Sequence, residues 1–315
     1  MIHDIVYTRT MIRRPDRLPC AAGMAVLCLV GGPPPARAQV LDLPPRPAEA
    51  PGGAAIARDI RLLEFDAREE RVYTEFAGGN IPSWLRILER VEMTRQSGGR
   101  EYRVTFWVTP DYVAVGSDTD YFLVPLSPQT AQRIADRVGA SLPTAAMVDA
   151  IWVAARVRLD PAPIPPSPEM TTVQAFEDHD RLVRAQRIRG SAPPGALVAG
   201  HKKDVVITAQ LDSFPGKVAI YGWHRPDGEP IQPLYAGHTD RWVDYSHGIR
   251  LVSRVIRIDG NRRDMLDVLR DTALAGLLSD DGVMVRARYS LPGGDRPVAS
   301  IRRGRGSGGW PCRAS

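Results

Sequence analysis

One change of hydrophobic period limits the folds open to this chain. Residues Glu101–Thr109 (EYRVTFWVT), Tyr112–Val115 and Tyr121–Pro125 alternate apolar and polar positions and are rich in β-branched and aromatic types, as strands are. At Ser127-Pro128-Gln129 the pattern turns helical, with Ser as N-cap and Pro at the first helical position. Ala131, Ile134, Ala135 and Val138 recur at helical spacing until Gly139. Ser141–Thr144 opens a second helix over Ala145–Val157, with Met147, Ile151 and Ala154 on one face. Strand patterns return after Leu197, at Asp204–Thr208, Lys217–Tyr221, Pro230–Tyr235 and Ile249–Ile258. A helix over Met265–Ala275 and a last strand over Val283–Tyr289 follow. Strands, helices and strands again, without regular β-α alternation, predict an α+β fold. Its body is β-rich and mixed, with a helical pair at about 127–157 inserted between strand segments.

The N-terminus predicts export. Arg13, Arg14 and Arg17 precede an apolar run from Ala21 to Val30, a proline-marked break, and Ala36-Arg37-Ala38. That order is a cleavable signal peptide over residues 1–38, and its apolar run is too short to span a bilayer. Translation can start at Met1 or Met11, and Arg13-Arg14 leaves Sec and twin-arginine export both open, although Pro15 and Asp16 fit the latter poorly. Cleavage near Ala38 predicts a periplasmic or secreted protein. Cys20 and Cys28 leave with the signal, so Cys312 alone remains and no intramolecular disulfide or cysteine zinc site can form. Removing residues 1–38 takes five arginines and two aspartates and lowers the formal charge from +5 to +2. Several remaining arginines crowd into residues 302–313, so the body is close to neutral and gives no case for a nucleic-acid partner. Nothing after residue 38 is apolar enough to cross a membrane.

Composition divides the rest. Residues 39–56 read as a Pro/Ala-rich spacer, 57–159 as an N-terminal α+β part, and 160–196 as a proline-rich strap (DPAPIPPSPE) followed by a charged helix, Phe176–Ile188. Residues 197–300 form a β-rich part and 301–315 a Gly/Arg-rich tail expected to be disordered. The strap fits either a domain boundary or a segment lying across the body. Asp118 and Asp120, in GSDTD, are either a carboxylate pair or a polar hairpin turn, and the turn is the expectation.

Chemistry concentrates in residues 200–250. Four of the five mature histidines lie there: His201, His224, His238 and His247. Glycine or serine flanks each of three, and Asp204, Asp240 and Asp244 stand nearby. Turns at strand ends present polar side chains to a cleft, and imidazole both titrates near neutrality and binds transition metals. Three readings share this segment. In one, His201, Asp204, His238 and His247 hold a divalent metal such as zinc, whose water attacks an amide or glycosidic bond. In the second, Ser246 or another hydroxyl is a nucleophile with a histidine as base and an aspartate orienting it, though no G-x-S-x-G elbow is present and adjacent Ser246 and His247 on a strand face opposite ways. In the third, the histidines with Tyr221, Trp223, Trp242 and Tyr245 line a pocket that only binds. Single histidines in half-buried strands are commonly structural, and that reading stands beside these three.

The strings Gly200–Val206 (GHKKDVV), Tyr221–His224 (YGWH), Ile231–Tyr235 (IQPLY) and Asp244–Val252 (DYSHGIRLV) resemble those of an uncharacterised family of secreted bacterial proteins. The likeness extends through Trp107–Pro110 and Ser127–Ala150 and covers most of the mature body. That family has no established activity, so the resemblance implies no mechanism and no site residue. The expectation from the residues is an exported hydrolase acting on a cell-envelope or extracellular polymer (peptide, peptidoglycan or polysaccharide). Its catalytic candidates are His201, Asp204, His224, His238, Asp244, Ser246 and His247, with the metal mechanism ranked ahead of the serine one. The alternative is a non-catalytic carbohydrate- or peptide-binding protein using the same aromatic and histidine surface.

Overall fold

A computed structural model describes residues 39–291. The expected signal peptide and the tail at 301–315 lie outside those residues. Helices α1 (Gly53–Ile60) and α2 (Phe65–Ala77) come first, followed by strands β1 (Glu89–Ser97), β2 (Arg100–Val108), β3 (Ala114–Gly116) and β4 (Tyr121–Leu123). Next are α3 (Pro128–Arg137), β5 (Ala140–Ser141), α4 (Ala145–Ala154), β6 (Val157–Arg158) and α5 (Val173–Arg189). The rest holds β7 (Val198–Ala199), β8 (Lys203–Val205), α6 (Gln210–Ser213), β9 (Ile220–His224), β10 (Pro230–Tyr235), β11 (His247–Gly248), β12 (Val252–Ser253), β13 (Val255–Ile258), β14 (Asn261–Asp264) and α7 (Met265–Arg270). The fold is α+β, with the α3–α4 pair set between strand segments.

Two sheets carry the body. The larger runs β14-β13-β2-β12-β5, with β1 also on β2; the smaller runs β10-β9-β8-β11. β1 and β2 form a long antiparallel hairpin in register from Glu89↔Val108 to Ser97↔Arg100, turning at Gly98-Gly99. Both turn residues have left-handed φ (57° and 75°), which matches the twist of paired strands. β13 and β14 repeat the device at Asp259-Gly260 (φ 49° and 81°). Val104 and Phe106 of β2 and Val205 and Ile220 of the smaller sheet belong to one hydrophobic cluster, so the early and late β segments share a core.

The helix signals hold at atomic detail. Ser127 Oγ accepts the Thr130 N–H (3.2 Å) and Thr144 Oγ1 that of Met147 (3.3 Å), whereas α5 starts at Val173, before the expected Phe176, where Thr172 Oγ1 accepts the Ala175 N–H (3.2 Å). Helix α4 buries Met147 and Ile151 as expected but ends at Ala154, which is exposed.

Several expectations need correction. Residues 39–56 are packed chain rather than a loose spacer: Leu41 is buried, its N–H donates to the Arg86 carbonyl (2.9 Å), and α1 starts at Gly53. Val283–Tyr289 is irregular, because Met284, Ala287 and Tyr289 bury singly against the core without a partner strand. Ile249–Ile258 divides into β12 and β13 around Arg254, whose guanidinium pairs with Asp264 at 2.6 Å. Asp118 and Asp120 sit in the β3–β4 turn and hold neighbouring segments. Asp118 accepts the Ser83 hydroxyl (2.7 Å), and Asp120 Oδ1 accepts the Ala54 N–H (2.9 Å) at the start of α1. The proline-rich segment lies across the body as a strap, with the Ile164 N–H donating to the Tyr245 hydroxyl (2.7 Å) and the Tyr245 N–H to the Met170 carbonyl (3.0 Å).

Candidate functional site

The smaller sheet and its loops gather the expected residues into three separate groups. In the first, His201 Nε2 lies 3.0 Å from Asp111 Oδ1, whose other oxygen accepts from Arg187. Asp204, on β8, accepts the Tyr112 hydroxyl at 2.7 Å, and Arg250 Nε stands 3.7 Å from its other oxygen. Arg250 also donates to the Thr109 and Val198 carbonyls (2.9 and 2.7 Å) and stacks over the Tyr112 ring at 4.3 Å. All of these side chains are buried. Burial pushes the Asp204 carboxyl up to about 6 against the pull of Arg250 and the Tyr112 hydrogen bond. Burial, then Arg250, Arg187 and Lys202, hold His201 well below the ordinary imidazole value, so it is neutral at pH 7.

The second group is built on α4 and β9. His224 Nε2 meets Asp149 Oδ1 at 2.8 Å, and the Tyr221 hydroxyl donates to the same oxygen at 2.8 Å. The His224 ring stacks on Trp152, with centroids 5.6 Å apart. Both ring nitrogen and ring face are thus occupied by the protein's own groups.

The third group lies in the loop that leads into β11. Asp244 Oδ1 accepts the Ser246 N–H (2.8 Å) and the Ser246 hydroxyl, and Oδ2 accepts Trp242 Nε1 (3.3 Å). His247 Nε2 stands 3.8 Å from Asp244 Oδ2, and neither ring nitrogen has a hydrogen-bond partner among the described residues although the ring is fully buried. Above this pair, His238 stacks on Trp242 (5.0 Å, 16° between planes), and Tyr235 meets its edge at 5.1 Å. Tyr235 is 45% exposed, while His238 and Trp242 are half-buried. Lys203 places its ammonium 5.2 Å over Trp223. Trp223 itself has φ +59°, a left-handed backbone that costs a bulky residue of order 1–3 kcal/mol and marks a locally imposed geometry.

Electrostatics distinguish the two members of the central pair. Burial lowers His247 to about 4, with Lys203, His238 and Lys202 adding to burial and Asp244 opposing it, so the ring is neutral at pH 7. Burial raises Asp244, but His247, the two Ser246 donors and Lys203 outweigh it and bring the carboxyl to about 2. Since His247 carries charge only below about pH 4, Ser246 and Lys203 are what hold Asp244 ionised at neutrality.

The expected residues therefore converge only in part. His238, Asp244, Ser246 and His247 come together; His201 and Asp204 face Asp111 and the Tyr112–Arg250 pair; His224 faces Asp149. Ser246 donates to an aspartate and makes no bond to an imidazole. Among the described residues, no three His, Cys, Asp or Glu side chains stand where they could hold one metal ion. The set His201, Asp204, His238 and His247 is thus split between two groups.

Sequence reasoning missed several groups that complete or adjoin these clusters. Lys202 is fully buried, donates to the Tyr245 carbonyl (2.7 Å) and lies 3.4 Å from His179 Nδ1. Burial brings its ammonium down to about 8, against the pull of Asp180 and Asp244. The adjacent lysines of GHKKDVV were a signal: neighbours at a strand start face opposite ways, so one of them had to point inward. Asp111, Arg187 and Asp149 come from distant segments, and nothing in their local pattern marks them.

No family model matches this chain, and no curated protein and no solved structure matches it either. Among the described residues, no helix is long and apolar enough to cross a membrane.

Proposed function

We propose that this is an exported binding protein that takes a chain of an envelope or extracellular polymer, saccharide or peptide, across the Tyr235–His238–Trp242 row. The observation that carries this reading is the row itself. Three rings in contact, all at least partly open to solvent, are anchored from below by the Trp242–Asp244 hydrogen bond. Aromatic faces supply large apolar contact at low entropy cost, and with the Trp242 N–H held by Asp244 the polar groups of the row left for hydroxyl or amide partners are those of Tyr235 and His238. Lys203 adds a cation at the same surface. Export rests on the order of charged, apolar and small residues before Gln39.

The test is co-sedimentation of the mature chain with insoluble peptidoglycan and with envelope polysaccharide, read against Trp242→Ala. Saturable binding that weakens about tenfold in the variant, the equivalent of about 1.4 kcal/mol, supports the reading. Equal sedimentation of both proteins, or none of either, sinks it.

A hydrolase using the same surface is the second reading, favoured by one observation. His247 is a neutral imidazole with both nitrogens unpartnered among the described residues, beside a carboxylate held ionised, which is the state of a general base next to an orienting carboxylate, and the fully buried ring would have to be uncovered to reach a substrate. Under it, release of soluble fragments from the polymer is abolished by His247→Ala while sedimentation persists.

A further inference from the structure

A groove on a different part of the surface carries an independent inference. Strand β6 runs parallel to β7, pairing Val157 with Val198 and Arg158 with Ala199. The Val157 and Leu159 N–H groups donate to Leu197 and Ala199 (3.2 and 2.9 Å), which turns the Arg158 N–H towards the outer edge of β6, where none of the described strands pairs. Residues 156–160 along this strand and Gln186, Arg189 and Gly190 at the end of α5 line a groove of about 340 Å³.

Three arginines line it. Arg158 is committed in part: its guanidinium donates to the Trp152 and Val153 carbonyls at the end of α4 (3.0 and 2.7 Å) and stacks over Trp152 at 4.2 Å. Arg156 and Arg189 are exposed and make no ion pair or hydrogen bond through their side chains with the described residues. Elsewhere on this surface many guanidinium groups are paired, for example Arg61 with Glu177, Arg133 with Glu70 and Arg241 with Asp66. The groove holds one carboxylate, that of Asp160, against three guanidinium groups.

We propose that this groove binds a phosphoryl group, with Arg156 and Arg189 as its principal ligands. Two unpaired guanidinium groups match the charge of a phosphoryl dianion, and their planar donor forks fit its oxygens in pairs. Arg158 contributes field and a rigid wall, because its own donors are held by α4. The phosphoryl group can be free or borne by a polymer, and both present the same oxygens to the groove. This site is independent of the aromatic row and stands if that reading fails.

The test uses the mature chain and isothermal titration at low ionic strength with inorganic pyrophosphate, then with short-chain polyphosphate. Saturable binding is expected that weakens at least tenfold in Arg156→Gln/Arg189→Gln and falls as salt rises. Arg262→Gln/Arg263→Gln removes the same charge from exposed, unpaired positions on β14 and is expected to leave binding within twofold of wild type. Equal weakening by both double variants, no weakening by the first, or no saturable binding by wild type overturns the proposal. Tighter binding of polyphosphate per phosphoryl group identifies a polymer-borne ligand, and equal binding identifies free phosphate. All four arginines are exposed, and coincident thermal transitions establish that both variants fold.

Discussion

His247 shows how burial, the largest of several influences, sets a residue's charge. Its ring is fully buried, and burial moves its pKa from 6.5 to about 4. An unfolded imidazole takes up its proton as pH falls below 6.5, whereas the folded one waits until about 4. The unfolded state therefore binds more protons across that window, and stability falls as pH drops through it. The contribution is on the order of 3 kcal/mol when the whole window is crossed. His179 and His201 have the same sign. Asp204, raised to about 6, opposes them, because the folded carboxyl protonates before the unfolded one. Denaturant midpoints of His247→Gln at pH 7, 5.5 and 4.5 should accordingly fall less steeply than those of the wild type, and midpoints of Asp204→Asn more steeply. Parallel slopes in all three proteins would remove burial of the neutral ring as the cause. Gly248, the next residue, makes a steric point. A Cβ there lies 2.6 Å from Cδ1 and Cε1 of the Tyr112 ring, which is buried and tied to Asp204 and Arg250. Gly248→Ala is predicted to cost about 1–3 kcal/mol, measured as a loss of thermal stability.

At the scale of elements, the starts of α3 and α4 were legible in the sequence, while those of α1 and α2 were not. Ser127-Pro128 marks α3 because both residues act locally, one by its hydroxyl and one by its fixed φ. Ser127 does more than its pattern shows: its hydroxyl also donates to the buried Glu69 carboxylate at 2.7 Å. Ser127→Ala is therefore expected to cost about 1–2 kcal/mol, at the upper end for an N-cap, and a Ser127→Thr variant should recover part of it in the same thermal melt. The β1–β2 hairpin was overlooked although Gly98-Gly99 is a strong turn signal. The strand leading into it, Glu89–Ser97, is half-exposed and polar on one side (ERVEMTRQS), so its alternation is weak. Val283–Tyr289 errs the other way: of its alternating apolar residues Val283 and Val285 are exposed and only Ala287 and Tyr289 are buried, and alternation cannot supply a partner strand.

At the scale of the molecule, the segment before α1 works as a structural clamp. Arg86 donates to the Leu43 and Pro44 carbonyls (3.1 and 2.7 Å), Arg46 donates to Asn80 (2.8 Å), and Leu41 is buried. A chain starting at Gly53 is predicted to lose about 1.5–3 kcal/mol for Leu41 alone and more for the stranded Arg86 donors, seen as a lower denaturant midpoint than a chain starting at Gln39. The sequence by itself determined the α+β class, the α3–α4 insertion and the caps, because period and capping act within one turn or one strand. It also singled out His238, Trp242, Asp244 and His247, though not Tyr235, which completes the aromatic row. Only the tertiary structure decided which histidines meet. His201 turns to Asp111, 90 residues away in sequence, His224 to Asp149, 75 away, and Ser246 to Asp244 rather than to an imidazole. Those choices follow from desolvation: a buried polar group takes whichever partner the packed chain brings within reach, and that partner is fixed by long-range packing that local spacing does not encode.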